Sequence, residues 1–337
     1  MGLRSDILDI IERYSGLVVE AGMPDWVDPM LATLTGKRFS DQNWIYERKF
    51  DGERCLAYCR GGVVKLYTRN RKDIGDNYPE VRDALSRLGG GDYIVDGEIV
   101  AFDGENTSFS RLQGRIGVRS PDAGLISMII VYYYVFDIVY VDGYLIENLP
   151  LRLRKKVLRR RFSFQDPVRY TEHIVGEGVK YYREACRKGW EGVIAKRGDS
   201  PYQHRRSADW LKFKCVNQQE FVVGGYTAPK GGRPGLGALL VGYYDKGQLI
   251  YAGKVGTGFD EQTLIELAKE LEKIRISRPP FREVDRSASR DFWVKPKMVV
   301  EVGFTEWTRT GKLRHPRFQG VRRDKEPQKV IREVAEA

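Results

Sequence analysis

The sequence predicts an α+β protein in which antiparallel sheets, with a few helices between their strands, are followed by a small OB-fold type β-barrel. Two observations carry this. Strand-like runs of Val, Ile, Tyr and Leu recur along the chain, separated by turns that contain Gly or Asp. After about Asn217 the character changes to short alternating strands around one helix, the pattern of a small barrel. A length of 337 residues suits two domains. We place the first at 1–217 and the second at 218–337.

Taken in order, residues 1–22 read as a short amphipathic helix and a lead-in. Runs 43–49, 53–60 and 63–68 read as strands joined by tight turns at Asp51-Gly52 and Gly61-Gly62. Residues 78–88 read as a helix ended by Gly89-Gly90-Gly91. Strands follow near 93–102 and 126–140, helices near 151–161 and 177–188, and strands near 191–196 and 210–215. In the second domain, alternation marks 220–226, 236–244 and 248–255. A helix over 260–273, a polar Pro-containing link and strands near 292–304 complete it. The longest apolar stretch, Leu125–Val141, contains Asp137 and many Tyr and β-branched residues, so it reads as a buried strand rather than a membrane span.

Composition narrows the function. Lys and Arg number 57 against 46 Asp and Glu, a formal charge of +11, which favours a polyanionic partner such as nucleic acid. The 19 tyrosines exclude a disordered basic tail. Cys55, Cys59, Cys186 and Cys215 form no Cys-x-x-Cys pair and the three histidines are scattered, which argues against structural zinc. Cys55 and Cys59 share one strand face as small core residues. Arg4, Asp6, Asp9, Glu12 and Arg13 break any apolar leader. A reduced cytosolic setting fits.

The chemistry centres on Glu47-Arg48-Lys49-Phe50-Asp51-Gly52-Glu53-Arg54, a K-x-D-G-x-R pattern. A lysine amine can hold AMP as a phosphoramidate and pass it on, provided the amine is neutral when it attacks. Nearby cations and a metal ion lower its pKa. Further motifs follow in order: Tyr67-Thr68-Arg69-Asn70, Asp96-Gly97-Glu98, Tyr134-Val135-Phe136-Asp137, Glu191-Gly192-Val193-Ile194-Ala195-Lys196, Trp210-Leu211-Lys212-Phe213-Lys214 and Arg322-Arg323-Asp324-Lys325. Together they resemble the motif series of ATP-dependent DNA ligases, over roughly residues 24–327. Met30-Leu31-Ala32-Thr33-Leu34, Phe109-Ser110-Arg111-Leu112-Gln113 and Leu313-Arg314-His315-Pro316-Arg317-Phe318 resemble the ligase domain of prokaryotic ligase D, which acts in non-homologous end joining.

The resemblance implies a nucleotidyltransferase domain followed by an OB-fold. It implies ATP as cofactor, AMP carried on Lys49, and Mg²⁺ or Mn²⁺ held by Glu98 and Glu191. Glu47, Arg54, Arg69, Glu98, Phe136, Arg206, Lys212 and Lys214 would contact the nucleotide, with Phe136 stacking on adenine and the two lysines gripping the α-phosphate. Arg322 and Lys325 would orient the departing pyrophosphate and count with Lys49 as catalytic. The partner would be nicked or broken duplex DNA, helped by a Ku-type end-binding protein and by separate end-processing polymerase and phosphoesterase proteins, for which this chain has no room. Basic runs at 152–161 and 309–325, each with seven Lys or Arg, would touch DNA phosphates. Three other readings stay open. An NAD-dependent ligase would carry a further N-terminal domain and a zinc site. An RNA ligase or RNA-capping guanylyltransferase shares K-x-D-G. A basic OB-type binder would carry the lysine motif by accident.

Overall fold

The structure, a computed structural model, describes residues 4–88, 90–215, 217–229, 231–283 and 291–333. The chain divides into a first unit ending at Cys215 and a second, Val216–Glu333.

Two sheets build the first unit. The larger has eight strands, and its main path runs Val19–Glu20, Tyr144–Leu145, Val131–Val141, Tyr93–Asp103, Glu53–Arg60, Val63–Thr68. The smaller runs His173–Val175, Trp44–Lys49, Gly192–Arg197, Arg206–Lys214, Leu31–Leu34. Strand alternation sorts the side chains. Cys55, Ala57 and Cys59 join Val95, Val135, Val81 and Leu85 in one core. Leu56 and Tyr58, on the opposite face, pack with Ile94, Phe136, Met30, Tyr202 and Trp210 in another. In the smaller sheet, Tyr46, Val193, Ala195 and Phe213 turn to the Gly178–Arg187 helix. Their strand neighbours Glu47, Lys49, Ile194, Lys196, Lys212 and Lys214 therefore turn to the other face.

Three expectations change. Asp51-Gly52 does not close a hairpin, because Trp44–Lys49 belongs to the smaller sheet and Glu53–Arg60 to the larger. The dipeptide is the crossing between them. Gly52 is required there because a Cβ would lie 2.2 Å from the Ile99 carbonyl oxygen. The strand expected from residue 126 starts at Val131, and Ala123–Met128 is a helix instead. Asp122 caps it by accepting from Leu125 N at 2.8 Å, and the apolar side chains Met128 and Ile130 are exposed. Cys186 and Cys215 form a disulfide, so the reading of the cysteines as a reduced set applies only to the buried, free Cys55 and Cys59. No described helix is long and apolar enough to cross a membrane.

The second unit is an OB-fold type barrel, with strands Gln248–Val255, Leu239–Asp245, Asn217–Thr227, Asp291–Phe304 and Arg275–Ile276 in order, and Arg317–Val321 on Asp291–Phe304. Its helix, Glu261–Glu272, starts where the Asp260 side chain accepts from Thr263 N at 2.7 Å. The helix buries Leu264, Leu267 and Leu271 against the barrel core. Part of the expected link, 284–290, and the terminal residues 334–337 lie outside the described residues.

Candidate active site

Strand register lines up the site in rows. Lys49 lies opposite Gly192, and Gly192 opposite Lys214. The next row is Glu47, Ile194, Lys212. A third holds Lys196 and Trp210. Successive rows sit roughly 6.6 Å apart along the strands. A side chain at position 192 would collide with the Phe213 carbonyl oxygen at 2.2 Å, so glycine keeps the strands close between the two lysines.

Lys49 Nζ donates to Glu191 Oε1. Burial pulls the amine's pKa down, but the Glu191 carboxylate, with Asp51 and Glu98 behind it, outweighs burial and holds it above the ordinary lysine value. The expectation of a depressed amine therefore fails for the protein alone: its nearest charges are carboxylates, not cations. The other Glu191 oxygen, Oε2, is buried without a hydrogen-bond partner. Among the described residues no cluster of three or more His, Cys, Asp or Glu could hold a metal. Glu191 and Glu98 thus fit a divalent cation only where phosphate and water oxygens complete its shell, which is the usual situation of Mg²⁺ beside a nucleotide.

Arg54 stands on the first strand after the crossing. It donates to Asp96 at 2.6 and 2.5 Å and to the Met30 carbonyl at 3.1 Å. Its guanidinium lies 4.7 Å from the Phe136 ring centroid. Tyr202 also donates to Asp96, at 2.6 Å. Phe136 is 8% exposed. The pairing between its strand and Tyr93–Asp103 shifts register beside it: Val135 pairs with Gly97, and Asp137 with the very next residue, Asp96. Phe136 is the extra residue, and such bulges re-aim a side chain.

Glu47 is 2% exposed. Its carboxylate accepts from Lys155 and lies 2.6 Å from Lys196 Nζ. Burial pushes the Glu47 carboxyl up, yet the two lysines outweigh it and the net direction is down. Lys196 also lies 4.2 and 4.1 Å from the centroids of Phe136 and Trp210.

The other expected residues are more dispersed. Arg69 is half-buried in the turn after Val63–Thr68. Arg206 is exposed and donates to the Ala32 carbonyl of the edge strand Leu31–Leu34. In the second unit Arg322 is buried, bonded twice to Asp324 at 2.9 Å and once to Glu301 at 3.1 Å. Lys325 pairs with Glu220 at 2.7 Å. The basic runs are less available than their composition suggests. In 152–161, Arg154 is buried on Asp137 and Lys155 on Glu47, while Arg159 and Arg161 pair with Glu172 and Asp142. In 309–325, Arg314 and Arg323 pair with Glu306 and Glu270. Sequence reasoning missed the roles of Lys155, Lys196, Asp96 and Tyr202. Lys196 and Asp96 are visible inside quoted motifs, whereas Lys155 reads as one member of a basic run expected on DNA phosphates.

Arg322→Ala is expected to destabilise the second unit by about 3–5 kcal/mol, because it strands two buried carboxylates. Lys325→Ala, at a less buried pair, should melt close to wild type. A thermal melt of each variant checks this, and an unchanged Arg322→Ala midpoint would refute it.

Facing sheets joined by a K-x-D-G crossing, with a separate OB-fold, are the architecture of a covalent nucleotidyltransferase. A family profile described as "ATP dependent DNA ligase domain" matches residues 29–214 and one described as "ATP dependent DNA ligase C terminal region" matches 232–325. The chain belongs to the ATP-dependent DNA ligase family. It is 36% identical over 319 residues to "Multifunctional non-homologous end joining protein LigD" of Pseudomonas aeruginosa, covering 92% of this chain and 37% of that protein. It is 37% identical over 318 residues to "Multifunctional non-homologous end joining DNA repair protein LigD" of Mycobacterium tuberculosis, covering 92% and 40%. The chain thus spans about two fifths of the length of these relatives. The solved structure of "mycobacterial DNA ligase D complexed with ATP and MES" shares 35% identity at a TM-score of 0.66, covering 91% of this chain and 98% of that one.

Proposed function

We propose that this chain seals 5′-phosphate/3′-hydroxyl breaks in duplex DNA with ATP, as the ligase unit of non-homologous end joining. The observation that carries the reading is the Lys49–Glu191 pair, set in one row with Lys214 and across the crossing from Arg54.

Lys49 Nζ, once it has lost a proton, forms a bond to the α-phosphorus of ATP, and the bond to the β-phosphate oxygen breaks as pyrophosphate leaves. Lys212 and Lys214 lie on the same strand face and draw charge from the α-phosphate as it becomes trigonal bipyramidal. Phe136, Glu47, Lys196 and Arg54 are grouped around one ring and would hold the nucleotide, Phe136 by contact with adenine and Glu47 at the adenine amine, with Arg54 and Lys196 giving up part of their contact with Phe136. A divalent cation on Glu98 and Glu191 would offset triphosphate charge and take the place of the Lys49 ammonium beside Glu191. Arg69 and Arg206 would reach the nucleotide, and Arg322 and Lys325 the pyrophosphate, only by exchanging or extending their present contacts. AMP then passes from Lys49 to the 5′-phosphate at the break, and the 3′-hydroxyl displaces it. The protein supplies position and charge, the larger part of catalysis in phosphoryl transfer.

For double-strand ends, a Ku-type end-binding protein would hold the DNA, with polymerase and phosphoesterase activities preparing it near the nucleoid. Sealing of a labelled nick should need ATP and a divalent cation and should fail with GTP. A cognate Ku-type protein should raise end joining more than nick sealing. Equal use of GTP would favour a capping-type enzyme, and equal end joining with and without the Ku-type protein would remove the end-joining role.

A further inference from the structure

We propose that a cavity at the edge of the larger sheet of the first unit binds one unpaired nucleobase, with its phosphate, from a DNA strand at the break. This inference rests on the DNA-sealing reading above.

The cavity measures about 500 Å³ and is walled by Tyr134, Phe164, Tyr170, Arg159 and Arg169, a size suited to a small ligand. The strand Val168–Tyr170 runs parallel to residues 133–135, with Arg169 opposite Tyr134. Among the described residues no strand pairs with its outer edge. Phe164 and Tyr170 sit 5.7 Å apart as a tilted pair of rings.

The two arginines differ in how firmly they are held: the Arg169 side chain is 35% exposed and the Arg159 side chain 60%. The Arg169 guanidinium lies 3.8 Å from the Tyr132 ring centroid. It donates to Asp166 at 2.5 and 2.8 Å and to the Tyr134 hydroxyl at 2.9 Å. Arg159 lies 5.0 Å from the Tyr170 centroid and donates to both Glu172 oxygens at 2.7 and 2.8 Å. Each guanidinium is therefore a flat plate, backed by a tyrosine and pinned at its edge by a carboxylate. Arg169, with its added contacts to Tyr132 and Tyr134, is the better ordered of the two, so stacking a base on it sacrifices less entropy, whereas Arg159 in its exposed ion pair is held weakly. Two arginines against two carboxylates leave the lining near neutral, which disfavours a bare anion and favours a ring. Arg169 still has N–H groups beyond the three donated to Asp166 and Tyr134, enough to meet one phosphate. Rings interleaved with arginine are how unpaired bases are held.

Position assigns the source of the base. The Tyr134 ring lies 4.3 Å from that of Phe50, the residue after Lys49, as a tilted pair, and Tyr134 registers opposite Glu98. Two rings, Tyr134 and Phe50, therefore lie between the cavity and the backbone of residue 49, and a nucleotide displaced at the break is the base the cavity would take.

The test uses two nicked duplexes, one fully paired and one with an unpaired 2-aminopurine at the break. The wild-type chain should bind the unpaired one about tenfold more tightly and quench its fluorescence. Arg169→Met should lose both effects and still seal the paired nick at close to the wild-type rate. Arg169→Lys, which keeps the charge without the plate, should lose the quenching too. Quenching that survives in both variants, or never occurs in wild type, overturns the proposal. So does equal quenching of free 2-aminopurine riboside monophosphate, which would assign the cavity to a free nucleotide. Sealing of the paired nick in the same preparation reads the DNA-sealing function separately.

Discussion

Lys49→Ala is expected to lose AMP attachment by on the order of a thousandfold or more, the scale seen when a nucleophile is removed. The cause is local. Within the Lys49, Gly192, Lys214 row the only other amine is Lys214, two strands away. Sealing of a 5′-phosphate nick should fall with it, since that reaction passes through the same intermediate. A nick already carrying AMP on its 5′-phosphate needs no lysine nucleophile, and the variant should join it within about tenfold of wild type. Single-turnover labelling with radioactive ATP, run beside joining of the adenylylated nick, separates the two steps. If both steps fell together, Lys49 would be holding the fold or the DNA rather than the nucleotide.

The second large effect lies at Glu191. This carboxylate keeps Lys49 protonated and leaves Oε2 buried without a partner. Its removal should have two opposed consequences. Losing the metal oxygen should cut the plateau rate of self-adenylylation on the order of a hundredfold. Losing the negative charge should lower the amine's pKa. Attack needs the neutral amine, so in wild type the rate climbs as pH rises towards that pKa. In Glu191→Gln the climbing limb should move to lower pH while the plateau falls. Raising the divalent cation concentration should move the wild-type limb the same way, because the cation replaces the ammonium at Glu191. A pH–rate profile of single-turnover adenylylation for both proteins measures each shift. A reduced plateau with an unmoved limb would show that Glu191 does not govern the amine.

The site was legible in the sequence to the extent that strand alternation governs it. Lys212 and Lys214, or Glu47 and Lys49, must share a face because they lie two residues apart. The alternation does not reveal which sheet a strand joins. Asp51-Gly52 looks the same as a hairpin turn and as a crossing between sheets, and only the sheet that each flanking strand joins distinguishes them. Charge runs misled for a related reason. Arg154, Lys155 and Lys156 are adjacent in the chain, yet the helix turns the first two inward to Asp137 and Glu47. Likewise Arg322 reads as a free motif cation until the barrel closes Asp324 and Glu301 around it. The Cys186–Cys215 bond joins positions 29 apart, a pairing that depends on the helix Gly178–Arg187 lying against the strand Arg206–Lys214.

The central claim is that Lys49 carries AMP between ATP and DNA. The most direct measurement is intact mass after incubation with ATP and a divalent cation, followed by peptide mapping. The account predicts an increment of one adenylyl group on the peptide containing Lys49, removed by added pyrophosphate and absent in Lys49→Ala. An unmodified mass under those conditions, or an adenylyl group on another residue that survives in Lys49→Ala, would contradict it.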